Sequence, residues 1–222
     1  MTGRPLIDWG WVLEHLDDIA VATLQHLGIA ALAVGAGFAI SFGLALWSVR
    51  DRRVYGPITA LSGILYTIPS LALFAVLVPF TGLSVVTVEI PLVAYTLLIL
   101  VRNIVAGFDA VSVDVLEAAN GMGYTRGQRL RRIELPLAIP LIIAGLRLAS
   151  VSTIGLVTVG SLIGDAFGGL GVLIKDGIAA FFPTKIYVGA ALSVALAFGA
   201  DIAFIHLGRA LTPWARTRAA GR

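Results

Sequence analysis

The chain has 222 residues, of which 58% are hydrophobic and only 13% are charged, and its formal net charge is +3. Soluble domains carry about twice that share of charged residues, so the composition excludes a soluble enzyme or a soluble nucleotide-binding domain. The chain has no cysteine, which excludes disulfides and thiolate metal sites. Its histidines, His15, His26 and His206, show no metal-ligand spacing. The sequence therefore predicts one membrane domain without a metal site, and the basic charge indicates cytoplasmic arginines rather than a nucleic-acid partner.

The first predicted element is an extracytoplasmic amphipathic segment, residues 1–24. Within residues 6–19, Trp9 and Leu13 follow helical spacing and lie opposite Asp8 and Asp17. This pattern is typical of a helix on the membrane surface, although a tail leading into the first span would also fit. The acidic residues argue against a cleavable signal, because a signal peptide begins with positive charge.

The rest of the chain, residues 25–210, reads as the membrane domain and is followed by a tail, residues 211–222. Long apolar stretches predict membrane-spanning helices, since about 20 residues cross a bilayer. Five such stretches occur, at residues 27–49, 57–80, 85–108, 136–164 and 187–207. Residues 172–182 are apolar but too short to span, which indicates a surface or re-entrant helix. The predicted fold class is all-α and integral to the membrane.

The arginines predict the orientation of the spans. One side of a five-span protein would carry nearly all of them: Arg50, Arg52, Arg53, Arg126, Arg129, Arg131, Arg132, Arg209, Arg216, Arg218 and Arg222. The other side would carry Arg4, Lys175 and Lys185. Because positive residues remain in the cytoplasm, we expect the N-terminus outside and the C-terminus inside.

The cytoplasmic loop at residues 112–135, here called the elbow, has its own helix signals. Asp114 and Glu117 fit a capping box, and Gly121 and Gly123 would end the short helix that follows. Residues 125–128 would cap a second short helix, which Pro136 would end. The elbow would transmit force from a cytoplasmic partner to the fourth span, or it would be an amphipathic connector with no partner.

Residues of the elbow match a known signature. Glu117, Ala118 and Ala119 are followed after three residues by Gly123, and after nine more by Ile133, one residue, Leu135 and Pro136. This run resembles the complete EAA motif of ABC importer permeases. Further segments are similar to the osmoprotectant permeases within that family: residues 65–74, 102–103, 168–171 and 211–214. One difference is Gly164–Phe167, which precedes the Gly-Gly-Leu-Gly that is usually part of a more compact run.

The resemblance implies a type I importer permease of the methionine-permease-like fold, in the cytoplasmic (inner) membrane. Its implied partners are a second permease subunit, identical or homologous, two ATP-binding subunits and an extracytoplasmic substrate-binding protein. ATP and Mg would bind the ATPase, so this chain would have no cofactor and no catalytic residue. The implied substrate is a quaternary-amine osmoprotectant of the glycine betaine, choline, carnitine or proline type. A methionine-type amino acid is the alternative.

The resemblance also implies roles for the motif residues. Glu117, Ala118, Ala119 and Gly123 would form the surface that docks on the ATPase and the sharp turn beside it. Ile133, Leu135 and Pro136 would anchor the elbow to the membrane end of the fourth span.

Polar residues inside the predicted spans are the remaining candidates. Arg147 and Asp201 would pair, as a latch or gate, or Arg147 would extend to the membrane surface while Asp201 meets other helices. A pathway for a quaternary ammonium needs aromatic and weakly polar walls. The candidates for this lining, which would fit helix packing equally well, are Tyr66, Thr67, Ser70, Thr158 and Ser161.

Other functional classes explain the sequence less well. A secondary transporter or channel would leave the elbow motif unexplained, and we detect no inverted repeat. A rhomboid-like protease needs Gly-x-Ser-Gly, but Ala60-Leu61 precedes Ser62-Gly63. Zinc hydrolysis would need His-Glu-x-x-His, which does not occur. The Gly-rich residues 168–171 and the short helix after them would either dock the binding protein or plug the pathway.

Overall fold

The computed structural model describes residues 6–161, 163–164 and 167–214, and helices make up most of this part of the chain. The helices are α1 (Trp9–Glu14), α2 (Leu16–Arg50), α3 (Tyr55–Thr67), α4 (Ser70–Thr81), α5 (Val85–Asp109), α6 (Val113–Gly121), α7 (Arg126–Arg129), α8 (Leu135–Gly160), α9 (Leu170–Ala179) and α10 (Pro183–Leu211). A 3-10 turn, Arg52–Val54, precedes α3, and a π-helical turn, Leu130–Glu134, joins α7 to α8.

Four helices in the described residues are long and apolar enough to cross a membrane. They are Leu16–Arg50, Val85–Asp109, the continuous run Arg126–Gly160, and Pro183–Leu211. The bent pair formed by α3 and α4 would be a fifth span. This agrees with the all-helical membrane fold predicted from the sequence. The short helix expected near residues 172–182 is α9.

The second predicted span is not a continuous helix. It bends by 92° between α3 and α4, at Ile68 and Pro69. Ile68 adopts an extended conformation (φ −67°, ψ 128°), which a following proline favours. Pro69 also has no amide hydrogen to continue the helix. The hydroxyl of Tyr95 donates a 2.5 Å hydrogen bond to the Ile68 carbonyl, and this satisfies a backbone group that the break leaves free.

The first span begins earlier than predicted, because α2 starts at Leu16 rather than near residue 27. The N-terminal segment is helical and packs on the start of α10. Trp11 stacks on His15 with ring centroids 4.4 Å apart and meets the ring of Phe182 edge-on at 5.5 Å. It is therefore not a loose tail. Its location on the membrane surface stays a prediction.

Close packing of α2, α5 and α8 forms the core. One group of buried side chains, near the Gly-rich residues 168–171, includes Phe74, Leu92 and Ile154. A second group, near the elbow, includes Ile104 and Ile142. Glycines bring the helices together, as is typical of membrane helices, where small residues allow close approach. A Cβ at Gly145 of α8 would lie only 2.6 Å from the Cβ of Asn103 in α5.

Gly145→Ala is therefore expected to destabilise the protein, by about 1–3 kcal/mol for overpacking of a tight site. Gly155→Ala in the same helix is the matched control, because a Cβ there meets nothing within 4 Å. The measurement is thermal unfolding of the detergent-purified protein, followed by tryptophan fluorescence. Equal midpoints for the two variants would show that the α5–α8 contact does not limit stability.

Buried His26 joins three helices and was missed in the sequence analysis. Its Nδ1 accepts a hydrogen bond from the amide of Leu170, at 3.3 Å, so Nε2 carries the proton and donates to the Ile154 carbonyl at 3.0 Å. His26 therefore holds the start of α9 against α2 and α8. The chain reaches this site through Gly168 and Gly169, whose φ angles are +67° and +85°.

Candidate functional site

The elbow begins with α6, which ends in a sharp turn. The amide of Tyr124 donates to the carbonyl of Ala119 (3.2 Å), and the amide of Gly123 donates to that of Asn120 (3.0 Å). These two bonds form a Schellman motif, with Gly123 in the left-handed conformation (φ +78°) that glycine adopts easily. The expected stop after Gly121 is confirmed.

The predicted start of this helix is wrong. Ser112, not Asp114, is the N-cap, and no side chain makes a capping hydrogen bond there. The helix starts earlier than expected because Ser112 is already extended and its carbonyl accepts from the amide of Leu116. Asp114 instead lies in the first turn, where its charge suits the helix dipole. Glu117 is exposed and is not used in a capping box.

The second helical signal is confirmed at its start and wrong at its end. Thr125 and Gln128 form a capping box, with the Thr125 amide donating to Gln128 Oε1 at 2.9 Å. Pro136 does not end the helix, because it lies in the first turn of α8. A π-helical turn precedes it, in which the amide of Leu135 reaches the carbonyl of Leu130, and this wider turn accommodates the proline. The elbow therefore continues into the long helix without a break.

Arg129 ties the two halves of the elbow together. Its Nη1 donates to Asn120 Oδ1 in α6 (3.0 Å), and its Nε donates to Glu134 Oε1 in the π-helical turn (2.6 Å). Glu134 is only 8% exposed, so its charge depends on this partner. Sequence reasoning missed all three residues. The available signal was Glu134 itself, a single acid among four arginines.

The exposed face of α6 combines apolar and acidic side chains. Val113 is 66% exposed and Met122 is 67% exposed, and they flank the exposed Glu117 and Ala118. Ala119 has no exposed surface, and its part in docking on an ATPase stays a prediction. At the other end of the motif, Ile133, Leu135 and Pro136 are half-buried. Leu135 packs on the core group near the elbow.

An ion pair holds the residues that lead into the elbow. The two terminal guanidinium nitrogens of Arg52, Nη1 and Nη2, donate to the carboxylate of Asp109, at the end of α5. This ion pair is largely exposed, so it contributes about 0.2–1 kcal/mol. It joins the turn between α2 and α3 to the residues that lead into α6.

The predicted pathway residues do not form one group. Tyr66, Thr67 and Ser70 lie at the break between α3 and α4, and Tyr66 is exposed beside the ring of Tyr95, with centroids 5.8 Å apart. In α8, the Thr158 hydroxyl lies 3.4 Å from that of Ser193 in α10.

Ser161, at the end of α8, is 1% exposed and donates to the Gly168 carbonyl at 2.7 Å. Its hydroxyl is thus used in packing against the Gly-rich segment, and a pathway role for Ser161 stays a prediction.

A cavity of about 660 Å³ lies where α1, α2 and α5 meet the Gly-rich segment. Its lining includes Trp11, Gln25, Glu89 and Lys185. The Gln25 amide oxygen accepts from the Gly169 amide at 3.2 Å, which fixes the segment to α2. Both carboxylate oxygens of Glu89 are buried, and neither has a hydrogen-bond partner among the described residues. This end of the molecule is the one predicted to face outward.

Arg147 of α8 and Asp201 of α10 lie together. Two parallel hydrogen bonds, of 2.8 and 3.0 Å, join Arg147 Nε and Nη2 to the two carboxylate oxygens of Asp201. The pair borders a cavity of about 530 Å³ whose other walls include Leu148 and Phe198. Arg147 is 38% exposed near the middle of its helix. A charge at that depth needs shielding from lipid, so this face requires a partner or water.

Exchanging the two charges tests whether the pair matters. We expect Arg147→Asp and Asp201→Arg each to lower the yield of folded protein, since each leaves two like charges together in an apolar span. The double exchange is expected to restore a substantial part of that yield. Size-exclusion chromatography in detergent provides the measurement. A double variant no better than either single variant would show that the pair has no structural role.

The geometry of the elbow and spans agrees with the comparison to known proteins. Residues 33–213 match the family model described as "Binding-protein-dependent transport system inner membrane component". The chain belongs to this family. It is thus a multi-pass membrane component of a transport system and not an enzyme, and the elbow motif lies within the matched residues.

Two curated relatives and one solved structure illustrate the similarity. The osmoprotectant import permease protein OsmW of Salmonella typhimurium is 35% identical over 91% of this chain and 96% of its own. The choline transport system permease protein OpuBB of Bacillus subtilis is 34% identical over 88% and 89%. An inward-facing structure of the MetNI methionine ABC transporter matches with a TM-score of 0.79 at 20% identity, covering 90% of this chain and 98% of that one. The last match confirms the predicted type I permease fold.

Proposed function

We propose that this permease is the transmembrane subunit of an ATP-driven importer of quaternary-amine osmoprotectants and is coupled to a separate ATPase through the elbow. The observation that carries the coupling is the rigid connection of α6 to α8. Gly123 turns the chain back, Arg129 bridges Asn120 and Glu134, and the helix then runs unbroken to Gly160. The substrate class rests on the relatives that transport osmoprotectants or choline.

The elbow would act as a lever. Its partner ATPase would hold ATP and Mg, and this chain would hold no cofactor. When the ATPase subunits move, Glu117 and its apolar neighbours on α6 follow. Because Arg126–Gly160 is one continuous helix, the movement reaches the middle of the membrane domain as a rigid-body tilt. A second permease subunit, identical or homologous, would complete the pathway. It would also shield Arg147 and Asp201 from lipid.

The outer end would receive substrate from a binding protein. We place the N-terminus on the outer side of the cytoplasmic membrane and the C-terminus on its cytoplasmic side, as the arginines predict. The Gly-rich segment and α9 then lie at the outer surface beside the cavity of Trp11 and Glu89. His26 fixes α9 there, which gives a docking protein a firm surface.

The break between α3 and α4 is the best candidate for contact with the substrate. Backbone that leaves helical form at membrane depth is tolerated where it is covered by protein or lines a water-filled cavity. Tyr66 lies at this break with its ring exposed, and an aromatic face attracts a quaternary ammonium without needing hydrogen bonds from it.

The test is uptake of radiolabelled glycine betaine, choline, carnitine and methionine by cells that lack other importers for them. Tyr66→Ala is expected to reduce quaternary-amine uptake about tenfold, the loss of about 1.4 kcal/mol of cation–π attraction, and Tyr66→Phe to retain it. Tyr187→Ala is the control, because Tyr187 is exposed on α10, away from the break. Uptake of methionine alone would support the amino-acid alternative and contradict the proposed substrate class.

A further inference from the structure

An arginine-lined cavity of about 690 Å³ lies between the end of α2 and the start of α7. It is separate from the exposed face of α6 that carries Glu117. Its charged walls are Arg50, Arg126, Arg129 and Glu134, and its apolar walls include Leu46, Val49 and Leu130.

The charges in this cavity are unbalanced. The single acid, Glu134, already accepts from Arg129 at 2.6 Å, and this leaves the charges of Arg50 and Arg126 uncompensated. Within the described ranges, neither of these two arginines has an acidic side chain within ion-pair distance. Cationic groups held around one cavity repel each other, so the arrangement favours a bound anion.

The apolar walls and the position identify the kind of anion. Leu46 and Val49 belong to the last turns of α2, and Trp47 of the same turn is 55% exposed, as is typical of aromatic residues at the level of the head groups. The cavity therefore lies where the membrane meets the solution. A soluble phosphate needs no apolar wall, whereas a phospholipid brings a phosphate and hydrocarbon together. Basic pockets between helices on the cytoplasmic side suit acidic lipid head groups.

We propose that this cavity binds the phosphate head group of an anionic phospholipid. Arg50 and Arg126 contact the phosphate, and the upper acyl chain lies against Leu46, Val49 and Leu130. The lipid then bridges the end of α2 to the first turn of α7. This holds the base of the elbow at the membrane surface. The site depends on the chain spanning a membrane and not on the substrate or the ATPase.

The experiment uses the full chain in neutral detergent micelles, with phosphatidylglycerol added and phosphatidylcholine or inorganic phosphate as comparison. Native mass spectrometry counts bound lipid, and thermal unfolding reports its effect. We expect one phosphatidylglycerol to remain bound and to raise the unfolding temperature. Arg50→Gln with Arg126→Gln is expected to weaken this binding about thirtyfold, since each arginine near the head groups adds about a factor of five.

The matched control is Arg131→Gln with Arg132→Gln. It removes the same charge from exposed arginines of the same segment that do not line the cavity. The control is expected to bind phosphatidylglycerol like the parent protein. Equal loss in the two double variants would reduce the effect to general surface charge and overturn the proposal. Binding of inorganic phosphate as tight as that of the lipid would show a soluble-anion site instead.

The single variants Arg50→Gln and Arg126→Gln keep the test valid if the double variant fails to fold. Each is expected to weaken phosphatidylglycerol binding about fivefold without changing the unfolding temperature in lipid-free micelles. Parent-like lipid affinity in both would overturn the proposal. Because lipid binding is measured without transport, this result is independent of the uptake measurements.

Discussion

Glu117→Lys is expected to abolish ATP-dependent uptake while leaving the protein in the membrane at its normal level. Glu117 is exposed on α6 between Val113 and Met122, so its reversal changes the surface offered to the ATPase and little else. Docking would bury Glu117 together with a positive charge of the ATPase. Losing one partner of such a pair costs about 2–5 kcal/mol, which corresponds to a loss of affinity for the ATPase of about thirtyfold or more. The measurement is substrate uptake together with the amount of ATPase that co-purifies.

Glu14→Lys is the control for Glu117→Lys. It reverses an exposed glutamate at the end of α1, on the side predicted to face away from the ATPase. This variant is expected to keep both uptake and ATPase binding. Normal uptake by the Glu117 variant would contradict the coupling role of α6.

Arg129→Ala is expected to separate ATP hydrolysis from transport. The substitution removes the bridge between Asn120 and Glu134 and leaves the buried Glu134 carboxylate without its partner, at a cost of about 2 kcal/mol. The face around Glu117 is still present, so the ATPase should bind. The link from α6 to the long helix is weaker, so less of the movement should reach it. We expect fewer substrate molecules imported per ATP hydrolysed in proteoliposomes.

Two comparison variants define the cause of that loss. Arg132→Ala removes a neighbouring exposed arginine and is expected to leave the ratio unchanged. Arg129→Ala with Glu134→Gln removes the unpaired charge as well, and should recover thermal stability but not the transport ratio. If the double variant recovered transport too, the bridge would serve stability alone.

The sequence identified most spans because a bilayer leaves few options for long apolar segments. It missed the bend at Pro69, because the hydrophobic stretch continues through the proline and hides the local break. It also placed the first span too late. Asp17, Asp18 and His26 are polar residues in the first part of a membrane helix, yet His26 is buried and fully hydrogen-bonded inside the protein.

In the elbow, the features set by neighbouring residues could be predicted, whereas the contacts between residues far apart in the sequence could not. Gly123 and the Thr125–Gln128 box act over a few residues, and both are as expected. Pro136 was misread as a helix end, because proline is also common in the first turn of a helix. The Asn120–Arg129–Glu134 bridge depends on the turn that brings α6 back to the π-helical segment, so no sequence spacing shows it.

Among the polar residues of the spans, the partners of charged residues could be predicted, whereas the roles of hydroxyl residues could not. Arg147 and Asp201 are strong charges in apolar helices, where few partners exist, and the structure joins them. Hydroxyl residues such as Ser161 are ambiguous, because they hydrogen-bond equally well to the backbone, to neighbouring helices or to a substrate.

The docking of the elbow on an ATPase can be measured directly by site-specific cross-linking. The chain contains no cysteine, so Met122→Cys places a single thiol on the exposed face of α6. Phe181 follows α9 and is 91% exposed, so Phe181→Cys is the control at the opposite end of the molecule. With a maleimide–diazirine reagent, we predict a covalent adduct with the ATPase for Met122→Cys and none for Phe181→Cys. No adduct at Met122, or equal adducts at both positions, would contradict the account.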